Sequence, residues 1–356
     1  MPSSAVIFAV CALATLALVL GLGAYLGPRG WMDLPSQRKR HGHPVPRVGG
    51  LALLAVLAMA KGLGWLRLDL TVLEWGVVLS LAVIGILDDR YNLRARWKAL
   101  VGFLLALPLA SVHTWEILHN GRELTLFGFN VPEHAAFYFP LLLMWYWAIP
   151  QAFNLIDGVN GLCLGFSCML LGALSSGPWS LLGSGVMPLW GALVALLLLN
   201  YPRARHFLGD TGSLSMGGLF SILVLERALP YHRGLAFWLM AYPILDVTMV
   251  VLIRAYTRRP LGQADRNHMH HWLQDHIKGR NWLVTLVLLS VAGLPMLRDM
   301  DWAWARLASA LGLVTLVVLA LVVLVDRAIL HPLEPTEVRP SAHPLFNEPS
   351  GTNISP

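Results

Sequence analysis

Long apolar stretches separated by short polar segments recur along nearly the whole chain. They predict eleven helices, at 4–27, 48–66, 71–87, 98–113, 135–153, 159–177, 183–200, 213–229, 234–253, 281–296 and 304–325. Their lengths of about 16 to 24 residues suit a bilayer, because about 20 helical residues cross its hydrocarbon core. The pattern therefore predicts an all-α fold, a polytopic bundle of about eleven transmembrane helices.

The composition is typical of a membrane protein. Hydrophobic residues make up 56% of the 356-residue chain and charged residues only 13%, against about 25% charged in an ordinary soluble domain. Cys11, Cys163 and Cys168 all fall inside predicted spans and show neither a disulfide framework nor a metal-binding spacing. The segment 326–356 holds six prolines, which predicts a disordered cytoplasmic tail after a transmembrane domain over 1–325.

Basic residues are distributed unevenly between the two sets of loops. With the N-terminus outside, 19 of the 26 Lys and Arg lie in inner loops, at the inner membrane edge or in the tail. Cytoplasmic loops are usually the positive ones, so this distribution predicts an external N-terminus and a cytoplasmic C-terminus. The net charge of +6 reflects the same bias. We therefore expect no nucleic-acid partner, and inner loops suited to lipid headgroups and anionic substrates.

Four polar clusters interrupt the apolar pattern, all at predicted inner ends of helices. They are Asp88-Asp89, the loop 154–161 with Asn154 and Asp157, the loop 209–212 with Asp210, and the loop with His268, His270 and His271. Ionisable groups are costly near hydrocarbon, so their placement on one face predicts a shared site. Adjacent carboxylates are relieved by a divalent cation. Mg²⁺ typically uses one or two carboxylates together with substrate phosphates.

The acidic clusters also allow simpler interpretations when each is taken alone. Asp88-Asp89 could be a solvated helix end, and Asp210 could be an N-terminal helix cap. Asp246 lies inside a predicted span and could be a site residue, a helix–helix contact or a misplaced boundary. The expectation of a site rests on the convergence of these acids, which the sequence predicts but does not show.

The basic groups suit phosphate. His268, His270 and His271 follow Arg266, and imidazole and guanidinium donors bind phosphate oxygens well. Zinc is the alternative for the histidines, although the chain lacks the nearby thiols of common structural zinc sites. Arg47 and Lys98 at the membrane edge are candidates for phosphate contacts, Lys98 for that of a lipid. Either residue could instead serve only the orientation of the chain.

Taken in order, these motifs resemble the polyprenyl-phosphate N-acetylhexosamine-1-phosphate transferase family, glycosyltransferase family 4. The resemblance covers about 38–271. It comprises the Asp pair, Asn-x-x-Asp-Gly-x-x-Gly-Leu at 154–162, Gly-Asp-Thr-Gly-Ser and His-x-His-His. It implies transfer of a sugar 1-phosphate from a UDP-activated amino sugar to a lipid phosphate, with Mg²⁺ and release of UMP. Asn92 and Asn160 stand where the family often has aspartates, so neither is assigned a catalytic role.

The His-x-His-His pattern resembles the branch that joins UDP-GlcNAc to undecaprenyl phosphate. FucNAc, QuiNAc and MurNAc-pentapeptide remain alternative sugars. We expect Mg²⁺, with Mn²⁺ as a substitute, to be held by Asp89 and Asp210. Catalytic roles are expected for Asp88, Asp89, Asp157 and Asp210. Substrate-binding roles are expected for Arg47, Lys98, Asn154, Arg266, His268, His270 and His271.

The resemblance also implies a location. It places the protein in a bacterial inner membrane with the active site facing the cytoplasm, where it would initiate a cell-envelope glycan such as O-antigen. Pairing of two copies is a further implication. The main alternative from another class is a secondary transporter. Transporters tend to bind substrate near the bilayer midplane on broken helices, whereas these motifs lie at helix ends.

Overall fold

The computed structural model describes residues 2–35, 43–121, 123–126, 129–175, 182–228, 235–259, 266–277, 280–297 and 304–330. Within these ranges the helices are α1 Ser4–Leu26, α2 Gly49–Gly62, α3 Val72–Tyr91, α4 Ala95–His119, α5 Ala135–Ile156, α6 Leu162–Ser175, α7 Met187–Asn200, α8 Gly209–Ala228, α9 Leu235–Leu239, α10 Ala241–Tyr256, α11 Met269–His276, α12 Asn281–Gly293 and α13 Ala305–Val325.

Two short antiparallel strand pairs join some of the helices. β1 Met32–Asp33 pairs with β2 Val45–Pro46, and β3 Thr125–Leu126 pairs with β4 Phe129–Asn130. The first pair bears on the site, because β2 leads directly into Arg47. The backbone N–H of Arg47 donates to the carbonyl oxygen of Trp31 at 2.9 Å. The loop before α2 is thereby held against the end of α1.

The all-α architecture is confirmed, and each of the eleven predicted segments contains helix. Among the described residues, five helical segments are long and apolar enough to cross a membrane, at 4–29, 95–119, 135–156, 183–200 and 305–330. Four shorter apolar helices accompany them, at 49–62, 162–175, 209–225 and 281–297. The protein is therefore a multi-pass membrane protein. Eleven crossings and the direction of the termini stay predictions.

Apolar side chains on the outside of the bundle agree with a lipid environment. On α1, Leu13 and Leu20 are 65% and 63% exposed, and Leu307 on α13 is 64% exposed. In water such a surface would be costly. These two helices therefore present hydrocarbon-facing surfaces at the edge of the bundle.

The predicted helix at 234–253 is two helices in the structure. α9 ends at Leu239 and α10 begins at Ala241, with Met240 between them. Pro243 explains the break, because proline has no backbone N–H and its ring clashes with the carbonyl four residues earlier, here that of Leu239. The prediction of one continuous helix was wrong at this point.

Two other features differ from the predicted elements. α11 lies within a segment predicted as a loop, and it carries part of the histidine motif. After α13 the chain continues as one π-helical turn over Asp326–Leu330. This turn lies inside the segment predicted as tail, whose remainder, 331–356, lies outside the described residues.

Helix α8 lies at the centre of the site-bearing half, where it packs against α2, α3 and α5. Glycines make this packing close. A Cβ placed on Gly85 of α3 would lie 2.5 Å from the carbonyl carbon of Asp210. Gly50 of α2 likewise approaches the backbone nitrogen of Gly212 too closely for any side chain. The start of α8 is therefore fixed against α2 and α3.

Candidate active site

The end of α3 and the start of α8 are joined through Asp89. Its Oδ1 accepts a hydrogen bond from the backbone N–H of Asp210 at 2.9 Å. Its Oδ2 accepts from the backbone N–H of Thr211 at 2.9 Å and from the Thr211 hydroxyl at 2.6 Å. The first N–H groups of a helix lack partners within the helix, and the helix dipole favours an anion there. Asp89 therefore acts as the N-terminal cap of α8, from another helix.

Gly209 makes this contact possible. Its φ angle is +74°, in the left-handed region that favours glycine. A Cβ at this position would lie 2.5 Å from Asp89 Oδ2. Both the backbone conformation and the space therefore require glycine before Asp210.

Asp88 and Asp210 face each other across the same junction, with Lys98 of α4 between them. The ammonium nitrogen of Lys98 lies 2.5 Å from Asp210 Oδ2 and 3.3 Å from Asp88 Oδ2. The convergence of Asp88, Asp89 and Asp210 is therefore confirmed, and Lys98 joins them. Lys98 was expected to contact a lipid phosphate; here it is paired with two carboxylates, which partly neutralise it.

The donor set at this point suits a divalent cation. Asp88 is 6% exposed, and its Oδ1 has no hydrogen-bond partner within the described part of the chain. A buried carboxylate oxygen without a partner is costly, and a bound cation would satisfy it. Asp89, in contrast, already accepts three hydrogen bonds. The geometry therefore favours Asp88 and Asp210 as the carboxylates for a cation, where the sequence suggested Asp89 and Asp210.

The loop after α5 adds two of the predicted residues. Asn154 donates through its amide to the hydroxyl of Ser213 at 3.1 Å, in the first turn of α8. Asp157 caps the end of α5 and lies near Asp210 and Asp89. Burial, and then the negative charges of Asp210 and Asp89, raise the pKa of Asp157 well above its ordinary value. Both residues therefore belong to the acidic cluster.

The histidine loop is held by Asp246 of α10. His268 caps α11 and donates through Nδ1 to Asp246 Oδ2 at 2.7 Å. The backbone N–H of Met269 donates to Asp246 Oδ1 at 2.8 Å. Asp246, which the sequence left unassigned, is thus fully buried and fixes the start of α11.

The same residues bear on the zinc alternative. One ligand atom each from Asp246, His268 and His270 lies within 4.8 Å of the others, a spacing that could hold a metal ion. Both oxygens of Asp246, however, already accept hydrogen bonds from the protein. A carboxylate that accepts the N–H of an imidazole fixes the tautomer and orientation of that ring. This arrangement favours Asp246 as the residue that orients His268.

His270 connects the histidine loop to the loop after α5. Its side chain is fully buried, and neither ring nitrogen has a hydrogen-bond partner among the residues that the structure describes. A Cβ placed on Gly158 would lie 3.0 Å from His270 Nε2. Gly158 follows Asp157 in the chain. The loop at 154–161, the loop at 209–212 and the histidine loop therefore form one continuous site.

Arg47 and Arg266, expected to bind substrate, are both engaged with protein carboxylates. Arg47 forms an ion pair with Asp33 of β1, and its other terminal nitrogen donates to Asn92 Oδ1 at 3.2 Å. Arg266 donates to Asp275 Oδ1 at 2.9 Å. Asn92 ends α3 with a φ of 49°, a left-handed conformation that Asn tolerates. It therefore connects Arg47 to the end of the helix that carries Asp88 and Asp89.

Asn160 points away from the acidic cluster. Its side-chain amide donates to the carbonyl oxygen of Pro202 at 3.3 Å, and its own carbonyl accepts from the Thr285 hydroxyl at 2.8 Å. Both contacts hold the loop after α5 against neighbouring segments, and the lack of a catalytic assignment for Asn160 stays a prediction. The basic run 38–40 and Asp265 lie outside the described residues.

Sequence reasoning missed three contributors to the site. Thr211 and Ser213 follow Asp210 directly and supply hydroxyl groups to Asp89 and Asn154. Their place in the Gly-Asp-Thr-Gly-Ser run was the available signal. The third, Asp33, lies in β1 and pairs with Arg47 from a distance of 14 residues in the chain. No local pattern marks it.

Gly158→Ala is expected to lower activity by about tenfold through displacement of His270, because small misplacements of site groups have large kinetic effects. The added methyl group would stand 3.0 Å from His270 Nε2. Steady-state kinetics of purified protein measures the effect. Gly76→Ala on α3 is the matched control, since nothing lies within 4 Å of its added Cβ. Equal activity of the two variants would contradict the contact.

Protonation of His271 is expected to oppose folding at low pH. His271 lies in α11, outside the membrane-spanning helices; burial, and then the positive charges of His268 and Arg266, lower its pKa from 6.5 to about 4. The unfolded chain then binds a proton that the folded chain does not, so stability is full above pH 6.5 and falls as the pH approaches about 4. Thermal unfolding in detergent between pH 7 and 5 should show a smaller decrease for His271→Gln than for wild type. An equal decrease would contradict this role.

Comparisons with known proteins identify the family of the chain. A model of the family described as Glycosyl transferase family 4 matches residues 71–227. The chain is 33% identical over 262 residues to a probable undecaprenyl-phosphate N-acetylglucosaminyl 1-phosphate transferase of Bacillus subtilis (strain 168), covering 68% of this chain and 70% of the relative. It is 28% identical over 283 residues to the undecaprenyl-phosphate alpha-N-acetylglucosaminyl 1-phosphate transferase of Yersinia pestis, covering 75% and 76%. The Escherichia coli (strain K12) protein described in the same words is 29% identical over 269 residues, covering 68% of each chain.

The matched region contains three of the four polar motifs, from the Asp pair of α3 to the start of α8. These motifs meet in space at the junction around Asp89 and Lys98. The B. subtilis relative is matched over more than two thirds of its length. The chain therefore belongs to glycosyl transferase family 4, the polyprenyl-phosphate N-acetylhexosamine-1-phosphate transferases.

Proposed function

We propose that the protein transfers GlcNAc 1-phosphate from UDP-GlcNAc to undecaprenyl phosphate and releases UMP. The observation that supports it most directly is the junction of Asp88, Lys98 and Asp210, where one buried oxygen of Asp88 has no hydrogen-bond partner among the described residues. Such a donor set is suited to a divalent cation and a diphosphate together. The relatives' names supply the sugar and the lipid.

The chemistry requires one bond to form and one to break. An oxygen of the lipid phosphate attacks the sugar-bearing β-phosphorus, and the bridging oxygen departs with UMP. Phosphoryl transfer of this kind depends mainly on positioning and charge neutralisation. Mg²⁺, or Mn²⁺ in its place, would be held by Asp88 and Asp210 and would neutralise charge on the diphosphate.

The remaining residues act on the two substrates. Lys98 carries an ammonium group at the acidic cluster and is the candidate contact for the lipid phosphate. His270 lies against the loop after α5, and His268, His270 and His271 are together assigned to the diphosphate and sugar. Asp157, which caps the end of α5 beside the same cluster, is assigned to the nucleotide.

Asp89 has a different role in this proposal. Its carboxylate holds the start of α8 through Asp210 and Thr211. It therefore sets the position of Asp210 and does not itself need to reach the cation. Asn154 contributes similarly through Ser213.

The site lies where helices begin and end, which suits a lipid acceptor. Asp88 lies in the last turn of α3, Lys98 in the first turn of α4 and Asp210 in the first turn of α8. An isoprenoid tail can therefore remain in lipid while its phosphate reaches the cluster. We place this face in the cytoplasm of a bacterial cell, at the inner membrane, because the basic residues concentrate there. The product would then initiate a cell-envelope glycan.

The test is UMP release by purified protein from UDP-GlcNAc, with undecaprenyl phosphate and Mg²⁺. We expect UMP only when all three are present, and none after addition of a chelator. UDP-FucNAc, UDP-QuiNAc and UDP-MurNAc-pentapeptide in the same assay should give slower turnover. Faster turnover with any of these would change the assigned sugar. Absence of UMP with every donor would refute the transferase activity and would favour the alternative function, a secondary transporter.

A further inference from the structure

Helix α11 depends on its neighbours for its position. It has eight residues, Met269–His276, and helices this short are not stable in isolation. Asp246 fixes its first turn, as described above. The helix also packs against α13, and two of its side chains reach the residues that follow α13, beyond the predicted transferase domain.

Two hydrogen bonds join this second turn to the residues that follow α13. Trp272 donates through Nε1 to Asp326 Oδ2 at 3.0 Å. Arg327 donates to Asp275 Oδ2 at 2.6 Å. Residues three apart on a helix share a face, so Trp272 and Asp275 turn together toward α13. The contact is specific and spans two elements far apart in the chain.

Arg327 is placed to hold a carboxylate rather than to meet solvent. Its side chain is only 7% exposed, and its Nε lies 3.7 Å from Asp326 Oδ2. The buried guanidinium therefore joins Asp275 and Asp326. An arginine buried in this way is paired because a lone buried charge is unstable.

Asp275 also connects this contact to the substrate side. Its Oδ1 accepts a hydrogen bond from Arg266 at 2.9 Å, while Oδ2 accepts from Arg327. If Arg266 turns toward a diphosphate, Asp275 keeps Arg327 as its partner. Arg327 thus lowers the free energy that is needed to separate Arg266 from Asp275.

We propose that Arg327, with Asp326, is a positioning residue that holds α11 so that its histidines face the loop around Gly158. The proposal rests on the proposed function, because it concerns the histidines assigned to the UDP-sugar. It requires no contact between Arg327 and substrate. It extends the part of the polypeptide that contributes to function as far as the π-helical turn at 326–330.

The first test is kinetic and uses matched arginine variants. Arg327→Met should raise KM for the UDP-sugar about tenfold through loss of position, with kcat within about threefold of wild type. Arg327→Lys keeps the charge and should restore most of the affinity. Arg258→Met is the control, since Arg258 is exposed, in the segment after α10, and loses the same charge. Equal KM values for Arg327→Met and Arg258→Met would overturn the proposal.

A double variant separates a shared contact from independent effects. If Arg327 acts through Asp275, Arg327→Met combined with Asp275→Asn should raise KM no more than the larger single change. Additive effects would show that the two residues act separately and would overturn the proposed connection.

Two further measurements test the proposal, one if Arg327→Met does not fold and one that needs no enzymatic turnover. If Arg327→Met does not fold, Trp272→Phe removes one hydrogen-bond donor and keeps an aromatic side chain. An unchanged KM would then overturn the proposal. Hydrogen exchange needs no turnover, and Arg327→Met should speed exchange in α11 more than in α8. Wild-type protein without UMP release would refute the proposed function, whereas equal exchange in α11 would refute the positioning role.

Discussion

Asp210→Asn is expected to lower UMP release by about a thousandfold, in the range found when one electrostatic group is removed from a transition state. The carboxylate of Asp210 faces Asp88 and Lys98, and it supplies charge where the diphosphate would be neutralised. The capping of α8 uses the backbone N–H of Asp210 and not its side chain. The variant should therefore fold normally, which size-exclusion chromatography and thermal unfolding in detergent can check.

Asp69→Asn provides the matched control for this change. Asp69 is exposed and precedes α3, at the opposite end of that helix from Asp88. The two variants lose the same carboxylate charge. Near-normal turnover by Asp210→Asn, or an equal loss in both variants, would contradict the role of Asp210 at the cation.

Replacing either of the adjacent acids Asp88 and Asp89 by asparagine is expected to change the free energy of unfolding differently. Asp89→Asn should lower the free energy of unfolding by about 3 kcal/mol, because three hydrogen bonds to a buried carboxylate at the start of α8 are disturbed. Asp88→Asn should leave stability unchanged or raised, since one of its oxygens is buried without a described partner. It should nevertheless lower turnover about a hundredfold or more.

Thermal unfolding and UMP release, measured on the same preparations, check both variants. The two variants are distinguished by how much stability each loses relative to how much UMP release it loses. Equal loss of stability in Asp88→Asn and Asp89→Asn would contradict the assignment of Asp89 to the α8 cap. A stable and fully active Asp88→Asn protein would contradict the assignment of Asp88 to the cation.

The positions of the site motifs along the helices could be predicted from the sequence. Hydropathy changes sharply at Asp88-Asp89 and at Asp210, so these residues were expected at helix ends, where the structure has them. A shared site followed because the chain enters and leaves the membrane on alternate sides. The excess of Lys and Arg in the inner loops placed these motifs on the same membrane face, although the orientation of the chain itself stays a prediction.

The partners of the site residues could not be predicted, because they come from distant elements. Lys98 and Asp210 are 112 residues apart in the chain, and their contact depends on how α4 and α8 pack. Nothing local distinguishes Asp89, which caps another helix, from Asp88, one oxygen of which has no partner in the part of the chain that the structure describes. Both were expected to have similar chemistry, and tertiary packing separates them.

The end of the chain shows the same limit. Asp326 and Arg327 follow the last apolar run and were assigned to the tail, since prolines begin a few residues later. Their hydrogen bonds to Trp272 and Asp275 depend on the packing of α11 against α13. Composition favours disorder in such a segment, but two paired side chains are enough to order one turn.

The transfer of the β-phosphate to the lipid can be followed with a radiolabel. UDP-GlcNAc carrying a radiolabel in its β-phosphate is incubated with undecaprenyl phosphate, Mg²⁺ and either wild-type or Asp210→Asn protein in the same detergent. We expect the label to enter the lipid fraction with wild type and to stay with the soluble nucleotide with Asp210→Asn. Label in the lipid with both proteins, or with neither, would contradict this expectation.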